Sequence, residues 1–558
     1  MRVFKSAKFY SALMGLFIGL VFTLGSASVS QAATFTVTGL ADSGAGSLRD
    51  AIDQANANPG ADAIDFTVSG TITLSSSLPF VSFAGGPLTI DGTGQSVVIS
   101  GNNSVRVMSV EDPNSINPPS GAVLEIKNLT IANGRDTANF GGGGILNIRG
   151  NLTVTNCVIR DNHASSVVGG GGIFNSRGTV TINSSSVTGN SATTDGGGVL
   201  NDASSTTITG STFAGNTAGN EGGAAATHGQ STLNINDSIL SGNYAPFGGG
   251  VYASQVVNVV NSTLSGNTAE LGGGIYGSAE LASPLVSVRN STLSGNSATA
   301  QGGALYLNFG LNAISNSTFS NNSAPSGGGG IYGLGDPSVG NINNSTFSNS
   351  AIVNPFAGDG FPLPMYNTIV AGSTCSGVTD GGYNIDTGAT CGFSGTSQSN
   401  FAGLLLDPQG LKDNGGQTQT IALLAGSTAV NAIPIGTNGC GAAGQTDQRG
   451  VSRPQGAGCD IGAFEVDTNS DGDSVSDTFD LCPGTLLPEA VPPQLKKNRY
   501  YADATGNFID ANGTSAGITV VDTFGCSGSQ IVAATGAGAA HLRFGVTRSL
   551  LLDWIAAH

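Results

Sequence analysis

This chain is short of charge. Only 10% of its 558 residues are Asp, Glu, Lys or Arg, against the ~25% usual in globular domains. Its surface must therefore be covered mainly by neutral polar groups. Positive charge is scarcer still, with 19 Lys and Arg against 36 Asp and Glu, a net charge of −17. Such an acidic chain is a poor partner for nucleic acid or anionic membrane surfaces. There is one Trp, and there are four His. After residue 32 no apolar stretch is long enough to span a bilayer. Helix-forming runs with 3.6 periodicity are almost missing, which excludes helical repeats.

Glycine is abundant, with 87 residues, and shows no collagen-like three-residue period. It accompanies a much longer repeat. Ile131, Ile159, Val187, Phe213, Leu240, Leu264, Leu293, Phe319 and Phe347 recur every 24 to 29 residues in segments such as Asn261-Ser-Thr-Leu-Ser-Gly-Asn267. A second column keeps the same interval: Ile145, Ile173, Val199, Ala225, Val251, Ile275, Leu305 and Ile331 each follow a glycine run. Self-similarity at this period marks a solenoid. Gly, Asn, Ser and Thr around isolated β-branched or aromatic residues suit short strands and turns. The spacing therefore predicts an all-β fold, a solenoid of short strands whose coils stack at ~4.8 Å. Asn190, Asn216, Asn243, Asn267, Asn296 and Asn322 close the first strand of their coils and read as turn residues able to stack as an amide ladder.

The organisation expected along the chain has six parts. Residues 1–32 read as a secretory signal, with Arg2, Lys5 and Lys8 before the apolar run Leu13–Leu24 and small residues at Ser30-Gln31-Ala32. Residues 33–115 read as an N-terminal cap and first coils, with a helix from Ser47 to Asn56 N-capped by Ser47 and covering the open end of the solenoid. Residues 116–350 hold the repeats, 351–466 a set of C-terminal coils and cap, 467–485 an acidic loop, and 486–558 a small C-terminal region. Within 486–558, Arg548–Ala557 reads as a short helix carrying the Trp.

Six of the seven cysteines, Cys375, Cys391, Cys440, Cys459, Cys482 and Cys526, lie beyond the repeats. Their order suggests local pairing, 375–391, 440–459 and 482–526, one of fifteen possible connectivities. Cys157 is left over and shares strand parity with the buried Ile159.

Two features carry chemistry. Asn469-Ser-Asp-Gly-Asp-Ser-Val-Ser-Asp-Thr-Phe-Asp480 has the oxygen spacing of a calcium loop, with Asn469, Asp471, Asp473, Asp477 and Asp480 as side-chain ligands and the Val475 carbonyl as the backbone ligand. Ser474 in place of the usual glycine, and Asp480 in place of the longer Glu, depart from that pattern. The second feature is a column just after the second apolar one: Leu146, Phe174, Leu200, Ala226, Tyr252, Tyr276, Tyr306 and Tyr332. Strand alternation places the Tyr rings outside, where they would either stack on sugar rings of a polysaccharide or on one another. Catalytic residues are not evident. The densest ionisable patch, Arg135, Asp136, Arg160, Asp161 and His163, is the weak candidate, and Asp195, Asp202 and His228 read as scattered.

Three resemblances add to this. Thr38-Gly39, Gly46-Ser-Leu-Arg-Asp-Ala-Ile52 and the repeats look like right-handed parallel β-helix proteins of bacterial surfaces, and Phe213-Ala-Gly-Asn216, Phe319-Ser-Asn-Asn322 and Gly302-Gly-Ala-Leu305 resemble polymorphic outer-membrane protein repeats. No autotransporter barrel is evident in the residues after them, so display through such a barrel is not expected. The stretch from Leu406-Asp-Pro through Asp447-Gln-Arg-Gly-Val-Ser-Arg-Pro454 to Cys459-Asp-Ile-Gly-Ala-Phe-Glu465 is similar to a choice-of-anchor Q domain. There Asp447, Arg449, Arg453, Asp460 and Glu465 are expected to form a charge network capping the last coil. The acidic loop with Leu481-Cys-Pro-Gly-Thr485 resembles a thrombospondin type 3 repeat. Together these imply an exported or cell-surface protein for adhesion or glycan binding, with Ca²⁺ as cofactor and a polysaccharide or surface glycan as partner. The alternatives are a polysaccharide lyase or glycoside hydrolase on the same scaffold, a fold-level analogy, or a purely structural envelope protein.

Overall fold

The computed structural model describes residues 32–558 apart from 83–84, 112–120, 137–140, 279–285, 309–310, 334–339, 356–361, 468–474, 476–479 and 483–484. The signal sequence, up to residue 31, lies outside the described residues.

The repeat folds as the spacing requires. Three parallel sheets of 14, 13 and 11 strands run side by side, so the chain winds through about eleven complete turns of an all-β solenoid. The first sheet begins at Thr34–Val37 and ends at Val378–Asp380. The second runs from Gly70–Thr73 to Ile385–Asp386, and the third from Met108–Glu111 to Cys375–Ser376. Coils therefore continue past residue 350 to Asp386.

Register is set by like residues. In the second sheet Ile131, Ile159, Val187, Phe213, Leu240, Leu264, Leu293, Phe319 and Phe347 sit opposite one another in turn, and all are fully buried. In the third sheet the column Ile145 to Ile331 does the same. One coil cannot bury these side chains alone, but a stack can.

The asparagines form the ladder, with one difference. Asn190 Nδ2 donates to Asn216 Oδ1 at 3.0 Å, Asn216 to Asn243 at 3.0 Å, Asn243 to Asn267 at 2.9 Å, Asn267 to Asn296 at 2.9 Å and Asn296 to Asn322 at 3.0 Å. These asparagines do not themselves take the left-handed turn. The preceding Gly215, Gly242, Gly266 and Gly295 do, at φ 60° to 62°. Glycine adopts φ > 0 without Cβ strain, which leaves the asparagine free to turn its amide inward.

The helix Leu48–Ala57 starts at Ser47, whose Oγ accepts from Asp50 N at 3.2 Å. Its face of Leu48, Ala51, Ile52 and Ala55 joins the main core, and the helix lies against the first two strands of the first sheet. Cys157 is a free, buried thiol whose pKa burial pushes up to about 11.

Residues beyond Asp386 correct an expectation. The charge network forms: Arg449 Nη2 lies 2.7 Å from Asp447 Oδ2, Arg453 Nη1 2.9 Å from Glu465 Oε2, and the Arg449 guanidinium 3.6 Å above the Phe464 ring. Yet it does not cap the last coil. The segment carrying it folds back along the outside of the second sheet. Thr292 Oγ1 donates to Gln419 O at 2.5 Å, Thr318 Oγ1 to Gln448 Oε1 at 2.7 Å, and Ala463 N to Thr346 Oγ1 at 3.0 Å. The physical reason is the Thr column, which supplies one hydroxyl per rung to pair the segment's polar groups. Thr292, Thr318 and Thr346 are buried, while Ile239, opposite Thr263 in the same column, is 47% exposed. Bridges join Cys375 to Cys391 and Cys440 to Cys459.

The C-terminal region has its own core of Cys482, Tyr500, Phe508, Ile518, Ile531, Leu551 and Trp554. A three-stranded antiparallel sheet packs with three helices, of which Arg548–Ala557 carries Trp554. The Trp554 indole donates to Thr523 O at 3.0 Å, and Cys482 is bridged to Cys526. Among the described residues no helix is long and apolar enough to cross a membrane.

Candidate functional site

The outer side of the third sheet carries the aromatic column. Tyr252, Tyr276, Tyr306 and Tyr332 pair rung by rung, and their rings stack face to face. Centroids lie 5.5, 5.0 and 5.5 Å apart with interplanar angles of 6°, 3° and 14°. The expectation that these rings project freely into solvent fails in part. Tyr252 is buried at 3% exposure, as are Leu146, Phe174, Leu200 and Ala226 below it. The cause is the glycine corner before each strand, which folds the preceding segment back over the column. Val168 and Phe247 pack there and close an apolar seam outside the solenoid wall, with Phe247 5.5 Å from Tyr276. Tyr276, Tyr306 and Tyr332 remain half-buried. Their faces are covered by one another, so ring edges and hydroxyls are what they can present. Burial raises the pKa of both Tyr276 and Tyr306.

At the buried end of this column the structure assembles a group that sequence reading leaves scattered. Asp195 and Glu221 occupy the same position on adjacent coils, immediately before the runs Gly196–Gly198 and Gly222–Gly223. The corner at Gly222 (φ +63°) is so tight that a Cβ there would lie 2.2 Å from Ala225 O. This reversal carries the following strand Ala225–His228 back past Glu221, and His228 Nε2 meets Glu221 Oε2 at 2.8 Å. Backbone bonds lock three successive coils together, with Gly170 N donating to Asp195 O at 2.8 Å and Gly196 N to Glu221 O at 2.8 Å. One ligand-type atom from each of Asp195, Glu221 and His228 lies within 4.8 Å of the other two, and all three residues are half-buried. Burial, then the nearby Glu221 charge, raises the Asp195 pKa. The His228 ring stands edge-on to Tyr252 at 5.9 Å. Asp202 pairs with His228 one rung below, and its Oδ2 accepts from Ser176 Oγ at 3.4 Å. A signal existed: the residue before each glycine run is acidic on only these two coils. Joining His228 to it required the corner geometry.

The other ionisable patch is tied into local structure. Asp136 is buried, with both carboxylate oxygens accepting from Ser165 and Ser166 backbone amides. These bonds hold its pKa below the usual carboxylate range against the opposing effect of burial. Arg135 and His163 pair on adjacent rungs. His163 Nδ1 is 2.8 Å from Ser191 Oγ, and burial followed by the Arg135 charge lowers its pKa. Arg160 and Asp161 form an exposed ion pair at 2.7 Å. In the acidic loop Asn469, Asp471, Asp473 and Asp477 lie outside the described residues. Val475 is buried, and Asp480 Oδ1 accepts from Cys482 N at 2.7 Å.

The model of the Chlamydia polymorphic membrane protein (Chlamydia_PMP) repeat matches residues 290–308 and 316–334, two successive coils of the aromatic column. No curated protein matches the chain. Among solved structures, the crystal structure of pectate lyase Pel9A is similar at 16% identity and a TM-score of 0.35, covering 78% of this chain and 98% of that one.

Proposed function

We propose that this chain is an exported β-helix of the bacterial surface that binds an uncharged polysaccharide along its aromatic column. The observation that carries this reading is the straight row of half-buried phenols at Tyr276, Tyr306 and Tyr332, spaced 5.0 and 5.5 Å between ring centroids. A row of hydroxyls and ring edges on a charge-poor wall suits a long ligand made of hydroxyls. The net charge of −17 disfavours polyanions. The two matched repeats and the disulfides support a location outside the cell, since disulfides persist in oxidising compartments. Binding through edges and hydroxyls replaces stacking of sugars on ring faces, because those faces are occupied by neighbouring rings.

Retention on a panel of immobilised neutral and acidic glycans tests the reading. Wild-type protein should be retained by a neutral glycan. The Tyr306→Phe variant, which removes one hydroxyl and keeps the stack, should weaken retention, and the double variant Tyr276→Ala with Tyr306→Ala should abolish it with the far-UV spectrum unchanged. Equal retention of all three would remove the hypothesis. Reducing-sugar and unsaturated-uronate assays on the same glycans test the alternative of a hydrolase or lyase, and no retention with no turnover would leave the structural role.

We also propose that the acidic loop binds Ca²⁺ through Asn469, Asp471, Asp473, Asp477, Asp480 and the Val475 carbonyl. Oxygen ligands at alternate positions, as a hard cation requires, support it.

A further inference from the structure

We propose that Asp195, Glu221 and His228 form a binding site for a divalent transition-metal ion of the zinc or manganese class. The donor set is one imidazole nitrogen and two carboxylates, with its three ligand atoms already within 4.8 Å of one another. Zinc bonds to His and carboxylate run at ~2.0–2.2 Å, so each donor must move by no more than a fraction of that separation. His228 Nε2 and Glu221 Oε2 are hydrogen-bonded at 2.8 Å, so the two groups already face each other, and a bound ion would replace the proton they share. The imidazole separates this site from a calcium site, because Ca²⁺ takes oxygen ligands and imidazole suits the transition metals.

The repeat itself argues against coincidence. At the position of Asp195 and Glu221 the other coils carry Gly141, Gly169, Phe247, Leu271, Gln301 and Gly327. At the position of His228 they carry Ile148, Ser176 and Asp202. In a chain with four His and 10% charge, two adjacent rungs break the repeat with three ligand residues, and the corner brings those three together. The donors are held by backbone bonds between coils and flanked by Tyr252, so they are pre-organised and shielded on one side. The two carboxylates are crowded, and a dication would relieve that crowding. The remaining coordination positions would be open to water or to a ligand lying on the aromatic column. The inference does not rest on the glycan reading, since metal binding is measured without a glycan.

The test is a titration of untagged, chelator-stripped full-length mature protein with Co²⁺, followed by visible absorption, with Zn²⁺ as competitor. One saturable equivalent displaced by Zn²⁺ is expected. It should be lost in His228→Ala and in the nearly isosteric Glu221→Gln, weakened by more than the roughly 10–100-fold that an outer-shell change costs, and kept in His163→Ala. Far-UV spectra matching wild type exclude loss by unfolding. Absence of a saturable equivalent in wild type, or its survival unchanged in both His228→Ala and Glu221→Gln, would overturn the site.

Discussion

Asn243 shows what a single residue does in a stacked fold. It is fully buried. Its Nδ2 donates to Asn267 Oδ1 at 2.9 Å and Phe213 O at 3.0 Å, while its Oδ1 accepts from Asn216 N and Nδ2, each at 3.0 Å. Four partners on two neighbouring coils are satisfied by one amide. Asn243→Ala leaves several of them buried and unpaired, at ~1–3 kcal/mol for each such group, non-additively. We expect a loss of about 2–5 kcal/mol, read as faster hydrogen exchange in the strands around residues 213, 240 and 264. Asn312→Ser, in an exposed pair with Ser287, should stay within ~0.5 kcal/mol. Protection unchanged in Asn243→Ala would show that the ladder contributes nothing. The Asn spacing is legible in the sequence. The partition of labour in Gly-Asn pairs is not, because both residues tolerate the left-handed region and only the inward direction of the amide decides between them.

At the scale of elements, strand columns were legible because each apolar residue repeats with its neighbours. Outside the repeat, the helices Leu48–Ala57 and Arg548–Ala557 and the three local cysteine pairs were legible, but how distant segments pack together was not. The Arg449, Arg453 and Glu465 network was expected from residue types. Its docking on Thr292, Thr318 and Thr346 was not, since a contact such as Gln448 to Thr292, 156 residues apart, leaves no periodic trace. Sequence alone placed the tyrosines outside the wall, and period-2 alternation is right about direction. It is silent on what else covers that side, which is why burial of Tyr252 under the folded-back corner was missed. The calcium loop belongs to this scale too. Cys482, bridged to Cys526, places the loop's end against the C-terminal core. Calorimetry of the full chain should show Ca²⁺ heat below millimolar ion that Asp471→Asn with Asp480→Asn removes and His228→Ala does not. No heat at millimolar Ca²⁺ would reject the loop as a calcium site.

Across the whole molecule, one consequence of stacking governs the rest. Residues ~27 apart in sequence become neighbours ~4.8 Å apart in space, so any departure from the repeat on adjacent coils becomes a local cluster. The tyrosine stack and the Asp195, Glu221 and His228 group are both departures of this kind, and both depend on register. Register is open to direct measurement by cysteine pairing on the outer side of the second sheet. Arg160 lies opposite Thr188, and Thr188 lies opposite Ala214, so Arg160 and Ala214 are two rungs apart. A disulfide needs Cα atoms within ~7 Å. Mild oxidation should therefore bridge Arg160→Cys with Thr188→Cys, seen by peptide mapping, and leave Arg160→Cys with Ala214→Cys reduced. A bridge in the second pair, or none in the first, would contradict the stacking on which the site and its proposed ligands rest.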